Sequence, residues 1–316
     1  MLAIGKASQD VFLASKKEFQ PYMHKGVQYE QLPLGQKIHV DDMIITTGGN
    51  ATNVAVTFAR QGLHSKYAWE LGEDAISTSI LTNLDEEGVD TSHVRQVAGF
   101  TPSYSTILLA PTGERTVLNY PGTQIKEHST PIDLDVLGGV DWVYLSSINN
   151  MTLLEKIVSS ATKHDVKIMM NPSGLELEKP EKLKSIIEDI EVIALNKEEA
   201  QTLVHGETLE ELARHLTHYA PVAVVSDGPN GVVATDGKTV VRAGMYEDVK
   251  VVDRLGAGDA FGSGFLSQWA QGGSLKDAVV LASANSTSVV TKIGAKEGIL
   301  RAPNKLHSMP ISEKPF

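Results

Sequence analysis

VVDRLGAGDAFGSGF, residues 251–265, decides how the rest of the chain is read. Two valines lead into three small residues, Gly256, Ala257 and Gly258, followed by the acid Asp259 and an apolar, glycine-spaced run. That order is a strand end, a tight loop and a helix N-terminus. The first N–H groups of a helix have no intrahelical partner, and the helix dipole adds partial positive charge, so such a turn can hold an anion. Asp259 then has two readings, an acid that complements the dipole or a general base beside a phosphate. Familiar nucleotide motifs fail here. A G-x-G-x-x-G run from Gly256 needs glycine where Phe261 stands, and a P-loop needs a lysine after the second glycine.

Outward from this motif the chain alternates short apolar runs with amphipathic patterns. KYAWE (66–70) precedes a helical pattern over 74–87 that Gly88 stops. DWVYLS (141–146) precedes TLLEKIVSSATKH, where Leu154, Ile157, Val158 and Ala161 share one face. VKIMM (166–170), EVIAL (191–195) and VAVVS (222–226) read as buried parallel strands, with helical patterns at 181–189, 208–219 and 275–290. The alternation predicts an α/β fold, a doubly wound and mostly parallel sheet, with ligands at the carboxyl ends of its strands. Residues 11–47 and 101–123 break the pattern with extended segments, the second a hairpin around Pro111-Thr112-Gly113. They are expected to form a small β lid on a single domain spanning 1–316. The tail from Pro303 reads as loose.

Composition narrows the function. The chain of 316 residues has no cysteine, which excludes disulfides and thiolate chemistry. No basic, apolar leader follows Met1 and no run is long enough to span a membrane, so a soluble cytoplasmic protein is expected. A net charge of −11 argues against a nucleic-acid surface. A polyanionic ligand must therefore be met locally, by N–H groups, a metal ion or a few cations. His215 and His218, three apart on a polar helix, read as a solvated face rather than a zinc site.

A second stretch, TTGGNATNVAVTFARQGL (46–63), sets Gly48-Gly49 before a helix with Ala51, Val54, Ala55 and Phe58 on its apolar face. Together the two stretches resemble the signatures of the ribokinase-like (PfkB) carbohydrate kinase family. The first has the form G-G-x-x-x-N, here Gly48, Gly49 and Asn53 with Gly62 beyond. The second has the form D-x-x-G-A-G-D, here Asp253 to Asp259. LGED (71–74), GERTVL (113–118), Asn171-Pro172, SDGPNG (226–231) and TKIGA (291–295) extend the likeness along nearly the whole chain.

The resemblance implies an ATP-dependent kinase that uses Mg²⁺ and phosphorylates a hydroxymethyl group of an unphosphorylated sugar. It makes Asp259 the base and the N–H groups of Gly256, Ala257 and Gly258 the anion hole. Asp10, Gly48, Gly49 and Asn53 would hold acceptor hydroxyls. Asn196 and Glu199 would organise Mg²⁺ through its waters. Ser226, Gly228 and Gly231 would touch the nucleotide, with Asn285 near the adenine. Asp253, the Leu255 carbonyl and the Gly294 loop correspond to a K⁺ site in relatives that use one. Two departures bear on this. Arg254-Leu255 replaces small hydroxyl residues, and Asn50 stands where phosphosugar kinases often carry lysine, which leaves Arg115 as the lid cation to watch, although it reads first as a solvated hairpin charge. A nucleoside kinase of the same family is the rival reading, with Phe19, Tyr22, Met23 and Tyr29 as an apolar wall for the base. A catalytically dead binding protein on the same fold is disfavoured, because the base and the anion-hole glycines are all present. A homodimer through the lid is also expected.

Overall fold

The computed structural model describes residues 1–112 and 114–316. At its centre is a nine-stranded sheet in the order Ile311–Pro315, Thr239–Ala243, Val232–Thr235, Val222–Ser226, Val192–Asn196, Lys167–Asn171, Trp142–Ser146, Leu2–Ile4, Lys66–Ala68. From Val222–Ser226 to Lys66–Ala68 every neighbouring pair is parallel, and the three strands beyond Val222–Ser226 run antiparallel. Leu2–Ile4 and Trp142–Ser146 are buried throughout, as continuous apolar strands covered on both faces must be. Helices over Ala75–Glu86, Met151–Lys163, Pro180–Ile187, Leu209–Leu216 and Leu275–Val289 fall where the periodicity put them. Leu154, Ile157, Val158 and Ala161 are all buried, and a fully buried Leu or Ile contributes about 1.5–3 kcal/mol each.

The lid is a four-stranded sheet ordered Arg115–Tyr120, Ser103–Leu109, Ser8–Ala14, Asp42–Gly48. Its first strand starts at Ser8, three residues earlier than the sequence suggests, which puts Asp10 on the lid itself. Phe12 and its register partner Ile107 are buried on one face of the lid, and Val11 and Leu108, which alternate with them, are buried on the other. Residues 15–41, expected within the lid, do not join its sheet. Tyr22–His24 and Val27–Tyr29 form a separate exposed hairpin, with Tyr22 and Tyr29 packed on each other at 5.8 Å between ring centroids. Gly113, at the tip of the expected turn, lies outside the described residues; on either side of it Leu109 pairs with Arg115.

Three features differ from the sequence reading. The tail is not loose, because Ile311–Pro315 pairs residue for residue with Thr239–Ala243 and closes that edge of the sheet. The hairpin Val232–Thr235 with Thr239–Ala243, which the sequence reading did not single out, extends the sheet beyond Val222–Ser226. KYAWE ends as a strand at Ala68, and Glu70–Leu71 pairs separately with Arg95–Gln96.

Candidate active site

The two motifs meet through their helices. Asn50–Arg60 and Ala257–Trp269 lie side by side, and Asn53 Nδ2 donates to Asp259 Oδ2 at 2.9 Å. Asp259 is 8 % exposed, and burial pushes its carboxyl up to about 6, opposed by the Asn53 hydrogen bond and the positive charge of Lys296. A carboxyl tuned toward neutrality can accept a proton near physiological pH. Asn53 is therefore first a partner of Asp259. Its Oδ1 is buried and has no hydrogen-bond partner among the described residues, which leaves one acceptor unused.

Gly256 starts its helix in the left-handed region at φ 75°, and a Cβ there would overlap Ala295. No side chain caps this helix. Of the three expected anion-hole donors, Ala257 N–H turns back toward the Arg254 carbonyl at 3.3 Å. Ala257 and Gly258 line a cleft of about 470 Å³ together with Ser226, Gly228 and Gly231. The cleft wall is largely apolar, through Met245, Val249, Val251, Phe261 and Val290. The anion-hole turn and the expected nucleotide residues thus share one cavity. Asn285 does not belong to it. Its side chain is fully buried, donating to the Ala260 carbonyl and accepting from Leu300 N–H, so it pins the core; Ser283, Ser286 and Thr287 of the same helix line the cleft instead.

Asp10 lies on the lid strand opposite Thr46, 4 % exposed, with its carboxyl raised by burial and lowered in part by hydrogen bonds from Ser105 and Ser8. Its carboxylate packs against the backbone of Gly48, where any Cβ would overlap it. Gly48 is thus a requirement of this acid's position, whereas Gly49, at φ 99°, leaves room for the backbone of Lys6, Ala7 and Ser8. Gly49 is the N-cap residue of Asn50–Arg60. Asn50 donates to Ser147 Oγ at 2.9 Å and reaches across to the end of strand Trp142–Ser146.

Asn196 and Ser226 are register partners at the ends of adjacent parallel strands. Asn196 Oδ1 accepts from Glu199 N–H at 2.8 Å, while Glu199 Oε2 accepts from Asn196 N–H at 2.9 Å, a reciprocal cap. Burial raises the Glu199 carboxyl. The second carboxylate oxygen of Glu199 has no hydrogen bond among the described residues. An all-oxygen pair beside the donor cleft fits Mg²⁺ held through its waters. Among the described residues no group of three His, Asp or Glu side chains is placed to ligate a metal directly.

The monovalent-cation assignment does not fit. Asp253 Oδ1 accepts from Leu255 N–H at 3.0 Å and Oδ2 from Gly294 N–H at 3.1 Å. The Arg115 guanidinium lies 3.7 Å from Oδ1, so the expected solvated lid charge is an ion pair with a buried acid. A guanidinium already paired with this carboxylate repels a second cation beside it, which disfavours a monovalent ion there.

Sequence reasoning missed two residues. Lys296, 5 % exposed, donates to Thr47 Oγ1 at 2.9 Å, and burial brings its ammonium down to about 7 against the charges of Asp10 and Glu87. Its signal was its place directly after TKIGA. Tyr144 lies on strand Trp142–Ser146 with its hydroxyl buried and unpartnered, and its phenol is raised by burial and by the charges of Asp259 and Glu199. Nothing in a fully apolar strand marks it.

Comparison with known proteins accords with this geometry. Residues 21–302 match the model of the pfkB family carbohydrate kinases. A ribokinase from Bacillus subtilis is 27% identical over 303 residues, covering 94% of each chain. An ATP-dependent 6-phosphofructokinase from Thermoanaerobacterium thermosaccharolyticum is 25% identical over 264 residues, 78% of this chain and 80% of that one. A guanosine-inosine kinase from Exiguobacterium acetylicum is 25% identical over 276 residues, 84% of this chain and 90% of that one. The fold matches an Arabidopsis thaliana ribokinase solved with ribose and ATP, at a TM-score of 0.80, 20% identity and 95% coverage of both chains. With the match covering most of its length and the fold agreeing, the chain belongs to the pfkB family of carbohydrate kinases.

Proposed function

We propose that this kinase transfers the γ-phosphoryl group of ATP to a hydroxymethyl group of an unphosphorylated sugar, in the manner of a fructokinase or ribokinase, acting as one 316-residue unit in the cytoplasm. The observation that carries the reading is Asp259, a buried carboxyl tuned to about 6 at the mouth of an anion-binding helix. Phosphoryl transfer needs positioning, charge neutralisation and removal of one proton. Asp259 takes that proton from the acceptor hydroxyl as its oxygen attacks the γ-phosphorus. The Gly256–Gly258 turn faces the charge that develops on the transferring group. Asp10 and the free Oδ1 of Asn53 orient acceptor hydroxyls. Ser226, Gly228 and Gly231 form the donor side of the cleft. Mg²⁺, organised by Asn196 and Glu199, would supply charge neutralisation at the donor phosphates.

An unphosphorylated acceptor is favoured because Asn50 is neutral and Arg115 is turned to Asp253. The phosphofructokinase among the relatives supports the opposite preference, and the guanosine-inosine kinase supports a nucleoside. The edge strands of the lid expose Met43, Ile45, Leu118 and Tyr120, which supports a homodimer through the lid. The test is ADP release from Mg²⁺-ATP with fructose, ribose, adenosine and fructose 6-phosphate under identical conditions. Preference for fructose or ribose is expected; preference for the phosphosugar or for adenosine replaces the acceptor assignment.

A further inference from the structure

We propose that Arg115 performs the electrostatic task of a monovalent cation at Asp253, so that turnover does not depend on potassium and this charge is delivered by the lid. The inference rests on the kinase reading above. Asp253 is a joint, since one carboxylate oxygen holds the N–H of Leu255, just before the anion-hole turn, and the other holds the N–H of Gly294. Its side chain is 1% exposed. A buried carboxylate with two neutral donors still carries an uncompensated charge, and a nearby cation lowers that cost. Arg115 supplies it at 3.7 Å. Neither Arg254 nor Lys292 makes an ion pair among the described residues, and Lys296 is bound to Thr47.

Arg115 opens the lid strand Arg115–Tyr120, whereas Asp253 belongs to the body. A guanidinium anchored on the lid reaches it only when the lid is seated. The anion-hole loop is then neutralised and fixed in the same movement that covers the acceptor. Arg115 acts through Asp253 and the loop, so it is a positioning residue.

The experiment compares wild type, Arg115→Met and Arg115→Lys in buffers whose only monovalent cation is choline, sodium or potassium, at a fixed ionic strength. ADP release is measured with the best acceptor of the sugar panel, and melting temperature is followed in parallel. Wild type should turn over equally, within about twofold, in all three cations, and its melting temperature should not respond to potassium. Arg115→Met should lose about tenfold or more in choline, recover in potassium, and gain thermal stability with potassium concentration. Arg115→Lys, which keeps the charge, should stay independent of potassium. Wild-type stimulation above about tenfold by potassium overturns the proposal. So does an Arg115→Met enzyme unaffected in choline, or one whose loss no cation restores. Wild-type turnover in the same assay tests the kinase reading separately, so the two can fail independently.

Discussion

Replacing Asp259 with asparagine separates what this carboxyl does for chemistry from what it costs the fold. Burial raises it from the ordinary aspartate value of 3.8 to about 6. Between those values the folded protein keeps a proton that the unfolded chain has released. Stability is therefore full below about pH 4, falls as pH rises to about 6, and stays lower above it. A difference of about two units, at about 1.4 kcal/mol each, makes the ionised form cost about 3 kcal/mol at pH 7. Asp259→Asn keeps the shape and an acceptor for Asn53 Nδ2, and it removes that cost. Part of the gain is offset because Lys296 loses a supporting charge, although burial, Asp10 and Glu87 weigh more on that ammonium. The variant should melt several °C higher than wild type at pH 7.5, and the two curves should converge below pH 4. Turnover should fall by roughly 10²–10⁴-fold, with donor binding retained. Thermal melts across pH 4–8 and ADP release at saturating substrates measure both. A variant less stable than wild type at pH 7.5, or an unchanged pH dependence, would refute the burial argument. Near wild-type turnover would reduce Asp259 to a helix-start acid.

Three further outcomes are expected. Glu199→Gln should raise the Mg²⁺ concentration needed for half-maximal rate while acceptor KM stays put; an unchanged magnesium curve makes the reciprocal cap with Asn196 purely structural. Asp10→Ala should raise acceptor KM by roughly 10–100-fold, from the loss of about 1.5–3 kcal/mol in a charged hydrogen bond, with donor KM little changed. If donor KM moves instead, Asp10 holds the lid rather than the acceptor. Light scattering at micromolar concentration should give twice the 34.1 kDa chain mass; a fully active monomer removes the lid interface.

The parallel strands and the Asp253–Asp259 turn were legible because each is local, set by an apolar run or by glycines flanking an acid. Ile311–Pro315 was not, since ISEKP is a strand only through pairing with Thr239–Ala243, about seventy residues earlier. Lys296 directly follows TKIGA, but nothing local marks its ammonium as buried. Its burial comes from the lid strand at Thr47 and from Arg60, whose guanidinium binds the Lys296 carbonyl at 2.7 Å. Asn285 is put near the nucleotide by the family resemblance alone. A side chain's direction depends on what the neighbouring elements offer, and here Ala260 and Leu300 offer better partners. Arg115 read as an exposed hairpin charge because its partner lies 138 positions away along the chain.

Asp10 rides on the lid and Asp259 is fixed in the body. An acceptor held by both acids is a fastener between two bodies, so its affinity and the posture of the lid are one measurement. A polyol that reaches Asp10 but offers no hydroxyl to Asp259 should bind weakly and leave the lid ajar. One that spans both should slow the exchange of donor nucleotide even when it lacks a transferable oxygen. Inhibitors of this enzyme would then be ranked by the distance they bridge rather than by the number of contacts they make.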